Sequence, residues 1–285
     1  MKKQQITVRV PATTSNLGPG FDCLGIALRL YNYIAIAPAP DRSRSAMVAQ
    51  AARKFFRATG LAPFSFSCQI RGEVPRARGI GSSVTVRLGI LHGLNSLLQQ
   101  PLRRAEIFRL CAELEGHPDN AAPAEFGGFA VTSGAGLQRF PVASRLRFVL
   151  LIPPFEVRTA VARRLLPNEI DRRRAVESLG NACALTAAMA SGRYENLRGA
   201  FRDHLHQPFR KKLVPFLDHV IAAAEKAGAL GGFLSGSGSA IVCLTTRAPE
   251  KIAVAMRDAS GLTNAETVIT TADNQGVKIS HAPLA

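Results

Sequence analysis

The chain has 285 residues, 47% hydrophobic and 20% charged, a globular composition rather than a disordered one and long enough to bury a sizeable core. Lys and Arg outnumber Asp and Glu by 36 to 20, a formal charge of +16 carried by 28 Arg and 8 Lys along the whole length. No apolar run approaches the roughly 18–20 residues that span a bilayer, and the five scattered cysteines contain no CxxC pair, so they point to neither a disulfide framework nor a zinc site.

At the N-terminus, Met1-Lys2-Lys3-Gln4-Gln5 runs straight into the alternating segment Ile6–Val10 without the apolar stretch of a secretory leader, so a cytoplasmic location is expected. Ile6–Val10 reads as a strand ended by Pro11, followed by a polar loop, Ala12 to Gly20, and a second strand between Leu24 and Ile36. Helical spacing of Met47, Ala51, Phe55 and Ala58 predicts a helix over Ala46–Thr59, stopped by Gly60. Phe64, Phe66, Cys68 and Ile70 alternate as one face of a strand. A Pro/Arg/Gly segment, Pro75 to Ser83, opens a long helix to about Gln99, and a second helix is expected over about Arg103–Leu114. Strands are predicted at Phe129–Thr132 and Arg147–Ile152, and Pro153-Pro154 marks the expected boundary between a domain of residues 1–152 and one of residues 153–285. Beyond it, helices are expected near Thr159–Leu165, Ala175–Ala190, Tyr194–Arg202, Pro215–Ala227 and Pro249–Ala259, with strands at Ala240–Leu244 and Glu266–Thr271. The pattern is that of a two-part α+β protein.

Four loops carry candidate chemistry. In Pro75-Arg76-Ala77-Arg78-Gly79-Ile80-Gly81-Ser82-Ser83, two glycines let backbone amides turn toward one point, and the helix behind adds its positive end. That suits an anion of phosphate size, although an ordinary Ser-capped glycine turn fits the same residues. The loop is neither a Walker A sequence nor GxGxxG, since Val84 stands where the third glycine belongs. His117-Pro118-Asp119-Asn120 is a dense polar cluster after a helix, consistent with ligand contacts or with Asx turns. Asn16 and Asp22 place an amide and a carboxylate six residues apart in one loop, able to hold a hydroxyl and an ammonium group or simply to shape the loop. Gly232–Gly238 permits close approach of a ligand or of a packed helix. Arg163 and Arg210, taken alone, read as solvated surface arginines. His204 and His206 are spaced i, i+2 and so do not share a helix face.

The +16 charge by itself raises nucleic acid as a partner. However, its densest clusters, Arg172-Arg173-Arg174 and Lys211-Lys212, are short, and no Trp and only three Tyr are present to stack bases. The same field suits a small polyanion such as a nucleoside triphosphate.

In this order the motifs are specific. Val10 to Asp22 resembles the first motif of homoserine kinases, and Arg78-Gly79-Ile80-Gly81-Ser82-Ser83 is similar to the phosphate loop of the wider GHMP kinase superfamily. Glu115-Gly116-His117-Pro118-Asp119-Asn120, with Ala122-Pro123 and Gly127-Gly128, resembles a stretch of homoserine kinases specifically, and Leu234 to Gly238 resembles the third superfamily motif. Thr159, Ala162, Arg163, Leu166 and Pro167 match T-x-x-A-R-x-x-L-P, and Asp203, Pro208, Phe209 and Arg210 match D-x-x-x-x-P-[FY]-R. The sequence departs from the pattern at Val84-Thr85, at Ser239 and at Asn32.

The resemblance implies a two-domain GHMP fold, an N-terminal α+β domain with the phosphate loop and a ferredoxin-like C-terminal α+β domain. It implies ATP along Pro75 to Ser83, continuing into Val84 and Thr85. Mg²⁺ would be held by Ser83 or Ser82 with an acid, Glu115 or the nearby Glu113. It assigns the amino-acid substrate, L-homoserine, to Asn16, Asp22, His117, Asp119, Asn120, Thr159, Arg163 and Arg210, with Asp22 pairing the α-ammonium and the arginines gripping the α-carboxylate. Asn120 stands where many superfamily members carry an aspartate base. An amide cannot serve as that base, so catalysis by positioning is expected, with Asn120 orienting the hydroxyl. Another small hydroxy acid or amino alcohol as substrate, and a non-catalytic nucleic-acid-binding role, are the competing readings. Members of the family often dimerise, and no membrane partner is implied.

Overall fold

A computed structural model describes residues 5–40 and 45–281; the leader reading of Met1 to Gln4 falls outside them. In chain order the elements are β1 (Ile6–Ser15), β2 (Leu24–Pro38), α1 (Ala46–Thr59), β3 (Phe66–Gly72), α2 (Ser82–Leu97), α3 (Arg104–Glu115), α4 (Ala121–Phe126), β4 (Phe129–Ser133), β5 (Gly136–Phe140), β6 (Arg147–Ile152), α5 (Thr159–Arg164) and α6 (Arg172–Ser191). A 3₁₀ turn (Tyr194–Leu197), α7 (Gln207–Arg210), α8 (Leu217–Lys226), β7 (Gly231–Leu234), β8 (Ile241–Thr245), α9 (Pro249–Ser260), β9 (Glu266–Thr270) and β10 (Lys278–Ser280) follow. None of these helices is long and apolar enough to cross a membrane.

The strands form two sheets, β10-β1-β2-β4-β5 with β3 added to β2, and β7-β8-β6-β9. Ile6, Val8 and Val10 pack with α1 and α2, whereas Ala12 and Leu17 join Ile26, Leu28 and Phe129 in a core shared with the second sheet. β6 shows why an unbroken apolar run is needed there: Phe148, Leu150 and Ile152 face the first sheet, and Val149 and Leu151 face α8 and α9.

The division expected at Pro153 differs from the sheet boundary. β6 pairs with β8 and β9, so the chain changes sheets at residues 141–146, and β10 returns the C-terminal segment to β1. The strand expected to end at Pro11 continues to Ser15, because the pairing with β2 shifts between Pro11 and Ala12. That bulge absorbs the missing proline N–H and reverses which face alternate residues occupy, turning Thr13 and Ser15 toward α4. The expected helix at Tyr194–Arg202 is only the 3₁₀ turn. Along the expected face of β3, burial fades from Phe66, fully buried, to Ile70, 38% exposed.

α1 behaves as its sequence predicts: the Ser45 side chain caps the Val48 amide and Gly60 closes the helix at φ 69°. α4, which no periodicity announced, is anchored by buried Glu125. Its carboxylate meets His92 Nε2 at 2.7 Å and accepts from Arg104 Nε at 2.6 Å.

Candidate active site

A cavity of about 410 Å³ opens where the end of β1, the 75–83 loop, the α3–α4 turn, α5, α7 and the Gly236-Ser237 turn converge. At one end lies the glycine loop. The carbonyls of four successive residues accept bonds from other segments: Ala77 from Val157 N (3.0 Å), Arg78 from Ala240 N (3.0 Å), Gly79 from Ser235 Oγ (2.7 Å) and Ile80 from Thr13 N (3.2 Å). With the carbonyls tied down, Gly79, Gly81, Ser82 and Ser83 present their other side to the cavity. There the first-turn amides of α2, which have no partner within the helix, supply donors. Gly79 and Gly81 sit at φ 76° and 71°, and a Cβ on them would lie 2.1 Å from the Ser235 carbonyl oxygen and 2.0 Å from Thr13 Oγ1. Only glycine fits this close approach.

Seven of the eleven loop positions expected at the nucleotide line the cavity, and Pro75, Arg78, Ile80 and Thr85 do not. Ile80 is fully buried in the core shared by the sheets. Arg78 turns its guanidinium away, donating from Nε to the Pro153 carbonyl and from Nη2 to that of Pro154, both at 2.9 Å. Thr85 is buried, donating to the Ser82 carbonyl (2.7 Å) and accepting from Asn32 Nδ2 (2.8 Å). Two of the departures from the family pattern are therefore hydrogen-bonded to each other. Ser45, Met47 and Ile70, none of them singled out by sequence, complete the wall at this end.

Ser83 Oγ donates to Glu115 Oε2 at 2.9 Å, and Arg87 holds the other Glu115 oxygen at 2.8 Å. Glu113 points elsewhere, pairing with Lys54 at 2.5 Å with 57% of its side chain exposed. The geometry thus separates the two acids that spacing alone left open. Deeper in, Asn120 has both ends of its amide fixed: Oδ1 accepts from Thr13 Oγ1 (2.7 Å) and Nδ2 donates to Ser15 Oγ (2.8 Å).

The far end is zwitterionic. All eight residues expected at the substrate line the cavity. Asp22 receives a bidentate pair from Arg163 (2.6 and 3.0 Å), and its backbone amide donates to Asn16 Oδ1 (3.0 Å). Asn16 and Asp22 sit at φ 70° and 57°, a conformation their short polar side chains tolerate. His117 Nδ1 meets Asp119 Oδ1 at 2.6 Å. Burial opposes charge on His117, but the Asp119 hydrogen bond and charge outweigh it and raise its pKa; burial likewise opposes charge on Asp119, and His117 holds that carboxyl below its ordinary value. Thr159 Oγ1 lies 3.5 Å from Ser237 Oγ.

Arg210, read alone as a surface residue, is 2% exposed and donates from Nη1 to the Gly236 carbonyl (2.8 Å). Burial, and then the nearby Arg163 charge, lower its pKa to about 10. Sequence reasoning missed Thr13, Ser15, Phe21 and His206. For His206 the usable signal was its i, i+4 spacing from Arg210, which puts both on one side of α7.

A phosphate-sized amide cradle beside a hydroxyl–carboxylate pair, on two packed α+β sheets, defines a small-molecule kinase of the GHMP type. The family models for the GHMP kinase N-terminal domain and the GHMP kinase C-terminal domain match residues 46–128 and 184–260. The chain belongs to the homoserine kinase family. It is 37% identical to the homoserine kinase of Caldicellulosiruptor bescii over 96% of both chains, and 40% identical to that of Thermus thermophilus over 85% of this chain and 87% of the relative. The crystal structure of homoserine kinase from Cytophaga hutchinsonii superposes with a TM-score of 0.88 at 27% identity, covering 98% of each chain. A mevalonate kinase at 13% identity and TM-score 0.73 shares the fold.

Proposed function

We propose that the protein transfers the γ-phosphoryl group of ATP to the side-chain hydroxyl of L-homoserine, giving O-phospho-L-homoserine for threonine biosynthesis. The observation that carries this reading is one cavity lined by the glycine loop, by carboxylates and arginines that suit an ammonium and a carboxylate, and by a doubly fixed amide, Asn120.

The triphosphate lies on the 76–84 loop, with the base against Met47 and Ile70. Asp22 and the His117–Asp119 pair receive the α-ammonium, and Arg163 and Arg210 the α-carboxylate. Ser83 and Glu115 offer two hard oxygen donors at the phosphate end and fit Mg²⁺, which characteristically takes one or two protein ligands plus phosphate oxygens. When bound, the ion neutralises phosphate charge. The homoserine oxygen attacks the γ-phosphorus as the bond to the β–γ bridging oxygen breaks; the electron pair leaves with ADP, and the hydroxyl proton passes to a phosphate oxygen. Asn120 orients the hydroxyl, and the loop amides and Arg76 stabilise the charge spread over the transferring group.

An ADP-release assay across homoserine, serine, threonine, mevalonate and shikimate tests the reading. Turnover with homoserine far above the others is expected. No turnover with any alcohol, together with salt-sensitive RNA binding, overturns it.

A further inference from the structure

Two parts of the substrate end come from opposite sides of the cavity. The Asn16–Asp22 loop extends β1 of the first sheet, and Arg210 stands on α7 beside the second. One side chain touches both. His206 is 0% exposed; its Nε2 donates to the Gly18 carbonyl at 2.8 Å, and its Nδ1 faces Arg210 Nη1 at 3.4 Å. Its ring stacks on Phe21 with centroids 5.2 Å apart, and the same Phe21 ring carries the Arg210 and Arg163 guanidinium groups at 5.1 and 5.4 Å.

We propose that His206 is a positioning residue for homoserine: its ring ties the loop bearing Asn16 and Asp22 to Arg210, so that the ammonium and carboxylate sites are set at a fixed separation. The proposal rests on the reading of the cavity as a homoserine site.

Three features support it. The backbone of α7 is itself pinned, because Asp203 accepts from the His206 and Gln207 amides at 3.1 and 2.7 Å, so the imidazole has a fixed base. Gly18, at φ 75°, packs so tightly that a Cβ would lie 2.5 Å from the Phe201 carbonyl oxygen, so the loop carbonyl is an equally fixed acceptor. Finally, Arg210 Nη1 and Asn16 Nδ2 share the Gly236 carbonyl, at 2.8 and 3.1 Å, which closes a ring of contacts through His206. Burial, then the Arg210 charge, outweigh Asp203 and lower the histidine pKa to about 4, leaving Nδ1 an acceptor for the arginine at neutral pH.

The test is steady-state kinetics of H206L, H206N and H206Q against the wild type, alone and in an R210A background. H206L keeps an apolar side chain of moderate size but no polar atom, and should raise the homoserine KM by about tenfold or more while the ATP KM stays within about twofold. H206N keeps an acceptor near Nδ1 and should recover part of the loss. In R210A the further effect of H206L should fall within about twofold, because His206 acts through Arg210. Equal rises in both KM values, an unchanged homoserine KM in H206L, or full additivity with R210A overturns the assignment. Should H206L not fold, H206Q, whose longer side chain cannot hold both ring-nitrogen positions, carries the same criteria. Absence of homoserine turnover in the wild type overturns the underlying activity instead, so the two failures are distinguishable.

Discussion

Asp22 and Arg163 meet through two parallel hydrogen bonds, Nη2–Oδ1 at 2.6 Å and Nη1–Oδ2 at 3.0 Å, in the lining of the cavity. Each is assigned to an opposite charge of the same zwitterion. On the proposed assignment a bound amino acid would exchange this pair for its own, the ammonium meeting Asp22 and the carboxylate meeting Arg163. D22N removes the anion while keeping the shape, and should raise the homoserine KM about 10- to 100-fold with little change for ATP. R163K keeps the charge but loses the planar fork, and should raise the same constant by less than R163A does. Unchanged homoserine saturation in D22N removes Asp22 from the site.

The separation of Glu115 from Glu113 gives a clean pair of variants. Glu115 touches Ser83 inside the cavity, and Glu113 faces Lys54 at the surface. E115Q should raise the Mg²⁺ concentration for half-maximal rate by at least about tenfold. E113Q breaks only an exposed pair, whose contribution is small, and should leave the magnesium titration within about twofold. The reverse pattern would move the metal site to Glu113.

Much of this architecture was legible in the residues. α1 carries strong periodicity, α1 and α3 end on glycine stops, and α1, α2 and α3 all lie within a few residues of their expected bounds. α4 and α7 are too short for periodicity to register, yet they present Asn120 and Arg210. The aim of Thr13 and Ser15 depends on a bulge set by the partner strand, where Pro11 pairs Tyr31 and Ala12 pairs Leu28, and nothing local to β1 encodes it. The turn of the Arg78 guanidinium away from the cavity is equally hidden, because its partners are backbone carbonyls at Pro153 and Pro154, remote in sequence and invisible to side-chain patterns.

Thr13 and Ser15 fix both ends of the Asn120 amide, and the proposed mechanism uses it as an orienting group, not as a base. N120A should lower kcat by roughly 100-fold, in line with the cost of misplacing a reacting group. N120D should not rescue it. A carboxylate there loses the donor to Ser15 Oγ and adds a third negative charge beside Asp119 and Asp22, against an anionic phosphoryl group. A kcat for N120D equal to or above the wild type, measured at saturating homoserine and ATP, would show that a base is wanted after all.

Protonation of His206 gives a pH prediction with a definite sign. Its folded pKa lies near 4, lowered chiefly by burial, against 6.5 for an ordinary histidine. Between those values the unfolded chain binds a proton that the native state refuses, so unfolding free energy rises with pH across the window and is lost as pH falls from 6.5 toward 4. The single group accounts for about 3 kcal/mol at most. The protonated ring would add a cation beside Arg210, offset in part by Asp203 and Asp22. Denaturant unfolding at pH 7 and pH 4.5 should therefore show a steeper loss for the wild type than for H206N, which has no titrating group at this position. Parallel losses in the two proteins would mean that His206 takes up its proton in the native state as readily as in the unfolded chain.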